Sequence, residues 1–180
     1  VGVNGVGKTT TAINLAAALG ERDRHVLVVD LDSQASASSW LGIRDGGRGL
    51  FDLFTGNGNL LDLVHLTDVP NVSAIPSSEW LVGVEKALSS EVGGETILRG
   101  HIEALPKRWD YIILDGPPSL GVLAVNALAA ASEVLVPVAA QFLALSGLSQ
   151  LLKTVDVVKD RLNPRLRVSG ILACIVDART

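Results

Sequence analysis

The stretch VGVNGVGKTTT at residues 1–11 decides most of what this chain can be, because residues 2–9 fit G-x-x-x-x-G-K-[ST], the phosphate-binding P-loop. Glycines let the backbone wrap a phosphate, so that successive N–H groups can point at its oxygens. Lys8 can reach the β- and γ-phosphates of a nucleotide, and the Thr9 hydroxyl can ligate Mg²⁺. A helix beginning at Lys8 adds its positive N-terminal end to the same site. The candidate nucleotide-binding residues are Gly5, Val6, Gly7, Lys8, Thr9 and Thr10.

The alternative for this stretch is a glycine-rich turn that caps a helix and binds nothing. The rest of the composition suits an α/β domain: of 180 residues, 48% are apolar and only 4% aromatic, so Ala, Val and Leu must fill the core. A net charge of −4 argues against a generally basic, DNA-coating surface. No apolar run reaches the roughly 18 residues of a membrane span. The single Cys174 excludes a disulfide framework or a four-cysteine site within one chain, so we expect a cytoplasmic protein with Cys174 as a small core residue.

Short apolar runs alternate with helical patterns along the chain. Strands separated by helices form right-handed βαβ units, which predicts an α/β fold: a doubly wound, mostly parallel sheet with helices on both faces. We expect residues 1–180 to form a single P-loop domain that is incomplete at both ends, since only Val1 and Val3 precede the loop. The predicted strands are 26–29, 72–75, 111–114, 134–136 and 168–176, and the predicted helices are 9–19, about 50–54, 79–89, 96–105, 122–131 and 148–162.

Aspartates follow two of the predicted strands. Asp30 and Asp32 close the strand at 26–29, and Asp115 closes the strand that begins at Tyr111. Ligands of parallel sheets bind at the carboxyl ends of the strands, and an apolar strand ending in Asp is the usual magnesium-side partner of a P-loop. Asp115 can instead be a helix cap or loop residue, and Asp32 can simply form an Asx turn. Asp30 is better explained as a structural residue at the strand end.

Together these segments resemble the ParA/MinD superfamily of P-loop ATPases, and within it the partition ParA proteins. The resemblance spans almost the whole chain and is weakest from about residue 43 to 100. Two segments, DGPPSLG at 115–121 and GLSQLL at 147–152, point to the ParA branch. The other matching segments are GVGKTTT at 5–11, NLA at 14–16, VVDLDSQ at 28–34, DYIIL at 110–114, NAL at 126–128 and DART at 177–180.

The resemblance implies a mechanism, two cofactors and three partners. ATP with Mg²⁺ closes a homodimer that binds DNA non-specifically, and a ParB-type centromere-binding protein stimulates slow hydrolysis. Carried onto this chain, Lys8 keeps its P-loop role in catalysis, Asp32 matches the aspartate that positions the attacking water, and Thr9 and Asp115 match the magnesium side. The implied function is segregation of a chromosome or plasmid by a cytoplasmic, nucleoid-associated ATPase.

The P-loop departs from the family at its start. The deviant Walker A form of the family reads Lys-Gly-Gly-x-Gly-Lys-Thr, and its first lysine reaches the phosphates of the dimer partner. Here Val3 and Asn4 occupy the first two positions, and valine cannot donate to phosphate. The resemblance also implies that adenine contacts and much of the DNA-binding surface lie beyond Thr180. We therefore expect weakened dimerisation, and impaired ATP hydrolysis by this chain.

Other assignments remain open. The loop VNGVGKTTT at 3–11 also resembles that of signal-recognition-particle GTPases, although those need Asp-Thr-Ala-Gly where this chain has DGPP at 115–118. A MinD-like membrane-cycling ATPase and a non-hydrolysing nucleotide-binding paralogue are the further alternatives, whereas nitrogenase iron proteins need two cysteines per subunit. A late basic cluster is either a solvated helix face or part of a nucleic-acid surface: Lys153, Lys159, Arg161, Arg165 and Arg167.

Overall fold

The central strand of the molecule, β1, is buried along its whole length. The computed structural model describes residues 7–88, 91–139 and 144–174. Every residue of β1 is fully buried, as expected of a Val- and Leu-rich strand covered by helices on both faces. The strands are β1 (Val26–Asp30), β2 (His65–Leu66), β3 (Val72–Ile75), β4 (Tyr111–Asp115), β5 (Glu133–Ala139) and β6 (Arg167–Cys174).

The first four strands form one sheet in the order β2-β3-β1-β4. β1 pairs in parallel with β3 on one side and with β4 on the other, and this second pairing places Asp30 directly opposite Asp115. β2 is a short antiparallel edge strand. β5 and β6 form a separate parallel pair with a register shift between Val134 and Leu135. The observed fold is therefore α/β with a mostly parallel sheet, as predicted.

Within the described residues, seven α-helices connect and cover the strands. They are α1 (Lys8–Gly20), α2 (Ser36–Trp40), α3 (Gly49–Phe54), α4 (Val84–Leu88), α5 (Ile97–Glu103), α6 (Val122–Ala130) and α7 (Ala144–Arg161). Short 3-10 turns span Leu60–Leu63, Glu79–Gly83 and Gly94–Thr96. None of the helices in the described ranges is both long and apolar enough to cross a membrane.

Apolar residues of β1 point alternately to two cores. Leu27 and Val29 pack with α3 and α6 residues on one face, whereas Val26 and Val28 pack against Ala16 of α1 on the other. A third cluster joins β5 to the inner face of α7 and to Leu128 of α6. Helices on both faces of β1 confirm the doubly wound prediction.

A largely apolar groove of about 680 Å³ lies between β4 and β5. β4 pairs with β1 on its other side, and β5 pairs with β6, so the facing edges of β4 and β5 carry no strand within the described part of the chain. Helices α1 and α6 contribute the remaining walls. The lining includes Leu15, Ile113, Ala127, Leu128, Val134 and Leu135.

Most predicted elements are present, with three differences. α2 and β2 were not predicted, because five and two residues are too short to show a period. The predicted helix at 79–89 is a 3-10 turn followed by α4 within the residues described. β6 is mostly exposed, with Ile171 at 56%, because it pairs only with β5 in the described chain. Cys174 is partly exposed there, so its prediction as a core residue is wrong.

Candidate nucleotide site

The last P-loop glycine adopts a conformation that a side chain would oppose. Gly7 precedes α1 with φ of 75°, in the left-handed region that glycine enters without strain. A Cβ built on Gly7 would lie 2.8 Å from Sγ of Cys174, closer than real contacts allow. No side chain caps α1 within the described chain, which leaves the helix N-terminus able to receive an anion. Gly7 thus has to be glycine both for its left-handed conformation and for its close packing against Cys174.

Lys8 lies inside the site and not on the surface. Only 6% of the residue is exposed, and its Nζ donates hydrogen bonds to the carbonyl oxygens of Gly116 at 3.2 Å and Pro117 at 2.7 Å. Burial lowers the pKa of the Lys8 ammonium, while the nearby carboxylates of Asp32 and Asp115 favour its charged form. The lysine is therefore held at the carboxyl end of β4 between two acidic groups.

The predicted magnesium-side pair is in direct contact. The Thr9 hydroxyl donates a 2.7 Å hydrogen bond to Oδ2 of Asp115 at the end of β4. Asp115 is 2% exposed, and this burial raises its pKa to about 6. The Thr9 hydrogen bond and the Lys8 charge lower the pKa of Asp115, whereas the Asp30 charge raises it further. Asp115 is thus neither a helix cap nor a loop residue.

The oxygen atoms at this point suit Mg²⁺. A hydroxyl and a carboxylate are hard oxygen donors, and Mg²⁺ commonly takes one or two such protein ligands and completes its shell with phosphate and water. No group of three or more His, Cys, Asp or Glu gathers elsewhere as a metal site in the described ranges. A buried carboxylate with a raised pKa would also gain from a nearby cation. The pair Thr9 and Asp115 therefore fits magnesium bound together with a nucleotide.

Asp32 forms the Asx turn that the sequence left as an alternative. Its Oδ1 accepts the Gln34 N–H at 3.0 Å, and its carbonyl accepts the Ala35 N–H at 2.8 Å. The residue is half-buried, and its charge acts on Lys8. Its Oδ2 accepts no hydrogen bond from any residue with a described position. The turn fixes the side chain through Oδ1 and leaves Oδ2 without a donor among the described residues.

Asp30 makes more contacts than its sequence position suggested. It is 1% exposed and accepts hydrogen bonds from the Asp32 N–H and from both donors of Ser38. Burial raises the pKa of Asp30, although the Ser38 and Asp32 hydrogen bonds favour the ionised form. An acidic residue ending a fully apolar strand was the available signal, since a buried carboxylate must find donors.

The predicted P-loop residues Val3, Asn4, Gly5 and Val6 lie outside the described residues. The Thr10 side chain is exposed, and its carbonyl accepts a hydrogen bond from Asn14 Nδ2. The basic residues late in the chain are exposed, and Arg167 is paired with Glu133.

Comparison with known proteins shows a family match over most of the chain. Residues 3–168 match the family model described as an AAA domain. The sporulation initiation inhibitor protein Soj of Bacillus subtilis (strain 168) is 43% identical over 98% of this chain and 70% of that protein. The chromosome-partitioning ATPase Soj of Thermus thermophilus is 48% identical over 98% of this chain and 67% of that protein.

Solved structures show the same fold with nucleotide bound. Cobyrinic acid a,c-diamide synthase from Mycobacterium smegmatis, with bound ATP analogue and magnesium, superposes with a TM-score of 0.93 at 35% identity. The match covers 99% of this chain and 75% of that structure. This sequence identity is lower than that to the two Soj proteins.

Proposed function

This chain belongs to the ParA/MinD superfamily of P-loop ATPases, in the group of Soj and ParA chromosome-partitioning proteins, and we propose that it binds ATP and hydrolyses it slowly to segregate a chromosome or plasmid. The observation that carries the proposal is the 2.7 Å hydrogen bond from Thr9 to Asp115, beside the buried Lys8. This contact joins the start of α1 to the end of β4, where a nucleotide phosphate and its cation would meet.

In the proposed binding step, Lys8 exchanges its two carbonyl partners for oxygens of the β- and γ-phosphates. The exchange favours the lysine, since a phosphate oxygen carries more negative charge than a carbonyl. The first N–H groups of α1, which no side chain caps within the described chain, then receive the phosphate. Thr9 and Asp115 would hold Mg²⁺, which neutralises charge on the phosphates when bound.

In the proposed hydrolysis step, Asp32 orients the attacking water through its available oxygen. The water oxygen bonds to the γ-phosphorus while the bond to the β–γ bridging oxygen breaks, giving ADP, inorganic phosphate and a proton. Phosphoryl transfer of this kind needs positioning more than covalent chemistry. A single half-buried carboxylate at the end of β1 can supply that positioning.

The proposed partners follow from the family. An ATP-dependent homodimer, non-specific DNA and a ParB-type protein would form the partition cycle in the cytoplasm at the nucleoid. Val3 cannot make the cross-dimer phosphate contact, which is worth about 1.5–3 kcal/mol and occurs twice in a two-fold dimer. Dimerisation with ATP should then be about two to four orders of magnitude weaker than with lysine there.

Light scattering with a slowly hydrolysed ATP analogue tests the role of Val3. The protein should stay largely monomeric at micromolar concentration, and Val3→Lys should shift it toward dimer. A tight ATP-dependent dimer of the Val3 protein would mean that another cation makes the contact.

The groove between β4 and β5 supports the proposal that the domain is incomplete. Neighbouring strands in a sheet lie about 4.8 Å apart, so one further strand could join β4 to β5 and make the sheet continuous. Gly7 lies close to Pro137 of β5, so a parallel strand in the groove would end at the P-loop. We propose that residues of the same polypeptide leading into the P-loop occupy this groove.

Extending the N-terminus tests this occupant. A five-residue extension of Val and Ile should raise the free energy of unfolding in urea by several kcal/mol, because it buries apolar area. A Gly/Ser extension of equal length is the matched control. Equal stability of the two extended chains would contradict a strand in the groove.

Turnover measurements separate the candidate functions. The proposed function predicts slow Mg²⁺-dependent ATP hydrolysis that rises when DNA and a ParB-type protein are added together. Equal or tighter binding of GTP in a competition titration would favour a GTPase of the signal-recognition type. Nucleotide binding without turnover under any condition would favour the non-hydrolysing paralogue that Val3 suggests.

A further inference from the structure

Asp30 is the centre of a buried hydrogen-bond network at the end of β1. Its Oδ1 accepts the Asp32 N–H at 3.1 Å, and its Oδ2 accepts the Ser38 N–H at 2.9 Å and the Ser38 hydroxyl at 2.7 Å. Both Asp30 and Ser38 are at most 2% exposed. Three donors on one buried carboxylate compensate for much of its desolvation.

The network closes a loop that contains Asp32. Residues 31–37 leave β1 at Asp30 and return to it at Ser38 in α2, so the two ends of the loop share one carboxylate. The Ser38 hydroxyl also accepts the Ser77 N–H at 2.9 Å, which ties the loop to the segment after β3. The loop is therefore anchored on both strands at the carboxyl edge.

Both the main chain and the side chain of Asp32 are fixed inside this loop. Asp30 holds the Asp32 main-chain nitrogen, and the Asx turn to Gln34 holds its Oδ1. A group that orients a reacting water must be held to within about 0.5 Å. A displacement of about 1 Å can cost about a hundredfold in rate.

We propose that Asp30 is a positioning residue for ATP hydrolysis, which holds the Asp32 loop in the geometry that orients the attacking water. This inference rests on the proposed function. Asp30 makes no hydrogen bond to any P-loop residue of the described chain, so its hydrogen bonds act on the Asp32 loop, and Ser38→Ala, which keeps the Asp30 charge, separates this effect from the charge that Asp30 exerts on Asp115. Changing Asp30 should then lower kcat and leave nucleotide affinity nearly unchanged.

Turnover of Asp30→Asn tests this split. Asparagine keeps the shape of aspartate but places an amide group where one of the accepting oxygens lies. We expect kcat to fall about 10- to 100-fold, whereas the affinity for a slowly hydrolysed ATP analogue should change less than about threefold. Ser38→Ala removes the hydroxyl bond to Asp30 and the bond from the Ser77 N–H but keeps both main-chain bonds to Asp30, so it should lower kcat by a smaller factor. Asp110→Asn is the matched control, since Asp110 also accepts a main-chain N–H but at the opposite end of the sheet.

A double-mutant comparison shows whether Asp30 acts through Asp32. In single-turnover measurements, Asp30→Asn should have no further effect on hydrolysis by Asp32→Ala, because the positioned group is already absent. Additive losses, or an unchanged kcat in a folded Asp30→Asn protein, would overturn the proposal. If Asp30→Asn does not fold, the same comparison with Ser38→Ala decides in the same way.

Amide hydrogen exchange without nucleotide keeps this proposal distinct from the proposed function. Asp30→Asn should speed exchange at the Asp32 and Ser38 amides at least tenfold, with unchanged exchange in β3. Unchanged exchange at both amides would overturn the positioning role. Absence of turnover in the unmodified protein would overturn the proposed ATPase function, and the exchange rates would then decide alone whether Asp30 holds the loop.

Discussion

The two ends of β4 carry the same residue type in opposite surroundings. Asp110 precedes the strand, is exposed and accepts the His25 N–H at 2.8 Å. Asp115 ends the strand, is 2% exposed and lies across from Asp30 of β1. Burial raises the pKa of Asp115 to about 6. One aspartate begins a strand at the surface, whereas the other is placed inside at a cost in stability.

The difference supports the proposal that the carboxyl edge of the sheet binds a ligand. Asp30, Asp115 and Lys8 are all buried at that edge. Burial raises the pKa of the two carboxyls and lowers the pKa of the lysine ammonium, so it disfavours the charged form of all three. A region selected for stability alone would avoid such desolvation. A polyphosphate with its cation would supply further opposite charge to both the lysine and Asp115.

Lys8→Ala should produce the largest effect at the carboxyl edge. Loss of one or two charge-assisted phosphate contacts should weaken ATP affinity by about a hundred- to a thousandfold. Lys153→Ala, on the exposed face of α7, is the control and should leave affinity unchanged. Isothermal titration measures both. Unchanged affinity in Lys8→Ala would mean that the nucleotide binds elsewhere. The difference between the two ends of β4 would then have no connection with nucleotide binding.

Asp32→Ala should retain ATP binding while turnover falls about a hundredfold or more, because positioned polar groups contribute this much to a reaction. Phosphate release under saturating ATP is the measurement. Asp62→Ala is the control for the loss of an acidic residue as such. Asp62 lies on the 3-10 turn Leu60–Leu63, far in sequence from the end of β1. Normal hydrolysis by Asp32→Ala would leave Asp32 as a turn residue only.

The stability of the nucleotide-free protein should fall as pH rises from about 4 to about 6. The pKa of Asp115 is higher in the folded chain than its ordinary value of 3.8, so the folded chain binds the carboxyl proton more tightly than the unfolded chain does. This contribution to stability is lost as the proton dissociates between about pH 4 and about pH 6. At about 1.4 kcal/mol per pKa unit, Asp115 alone accounts for about 3 kcal/mol at most. Asp30 contributes with the same sign.

Asp115→Asn should remove most of this dependence and raise the free energy of unfolding at pH 7 by about 1–3 kcal/mol, measured in urea without magnesium. The same variant should lose the magnesium dependence of ATP binding. A destabilised Asp115→Asn protein at pH 7 would contradict the cost assigned to this buried carboxylate.

Asp110→Asn should have the smallest effect, less than about 1 kcal/mol, because an exposed hydrogen bond contributes little. Urea unfolding beside Asp115→Asn measures the contrast directly. A loss of several kcal/mol at Asp110 would show that the two ends of β4 do not differ as their burial indicates.

The alternating pattern of the chain predicts the sheet because buried parallel strands need continuous apolar runs. Strands β1, β3 and β4 and helix α1 occur within a few residues of their expected bounds. The same reasoning predicts β6 as a strand, but an apolar run does not reveal whether anything covers it, which is why the prediction of Cys174 as a core residue is wrong. It also failed for α2, whose five residues are held by the Asp30 network more than by any helical period.

The candidate site divides in the same way. The P-loop pattern and strand-terminal aspartates predict which residues meet, and Thr9, Lys8 and Asp115 do come together. The sequence pattern does not predict which distant groups bind these residues. Examples are the carbonyl oxygens that accept hydrogen bonds from Lys8 and the Ser38 hydroxyl that donates to Asp30. Such partners depend on how the loops cross, which no local pattern encodes.

The hydrogen bonds from Lys8 to the carbonyls of Gly116 and Pro117 connect the lysine to the segment that leads from β4 into α6. If a phosphate took the ammonium, both carbonyls would lose their donor at once. Residues 116–121 would then respond to an occupied site together with the P-loop. Nucleotide binding would thus release the main chain of this segment. The effect would reach β5 and α7 through α6, whose Leu128 packs with both.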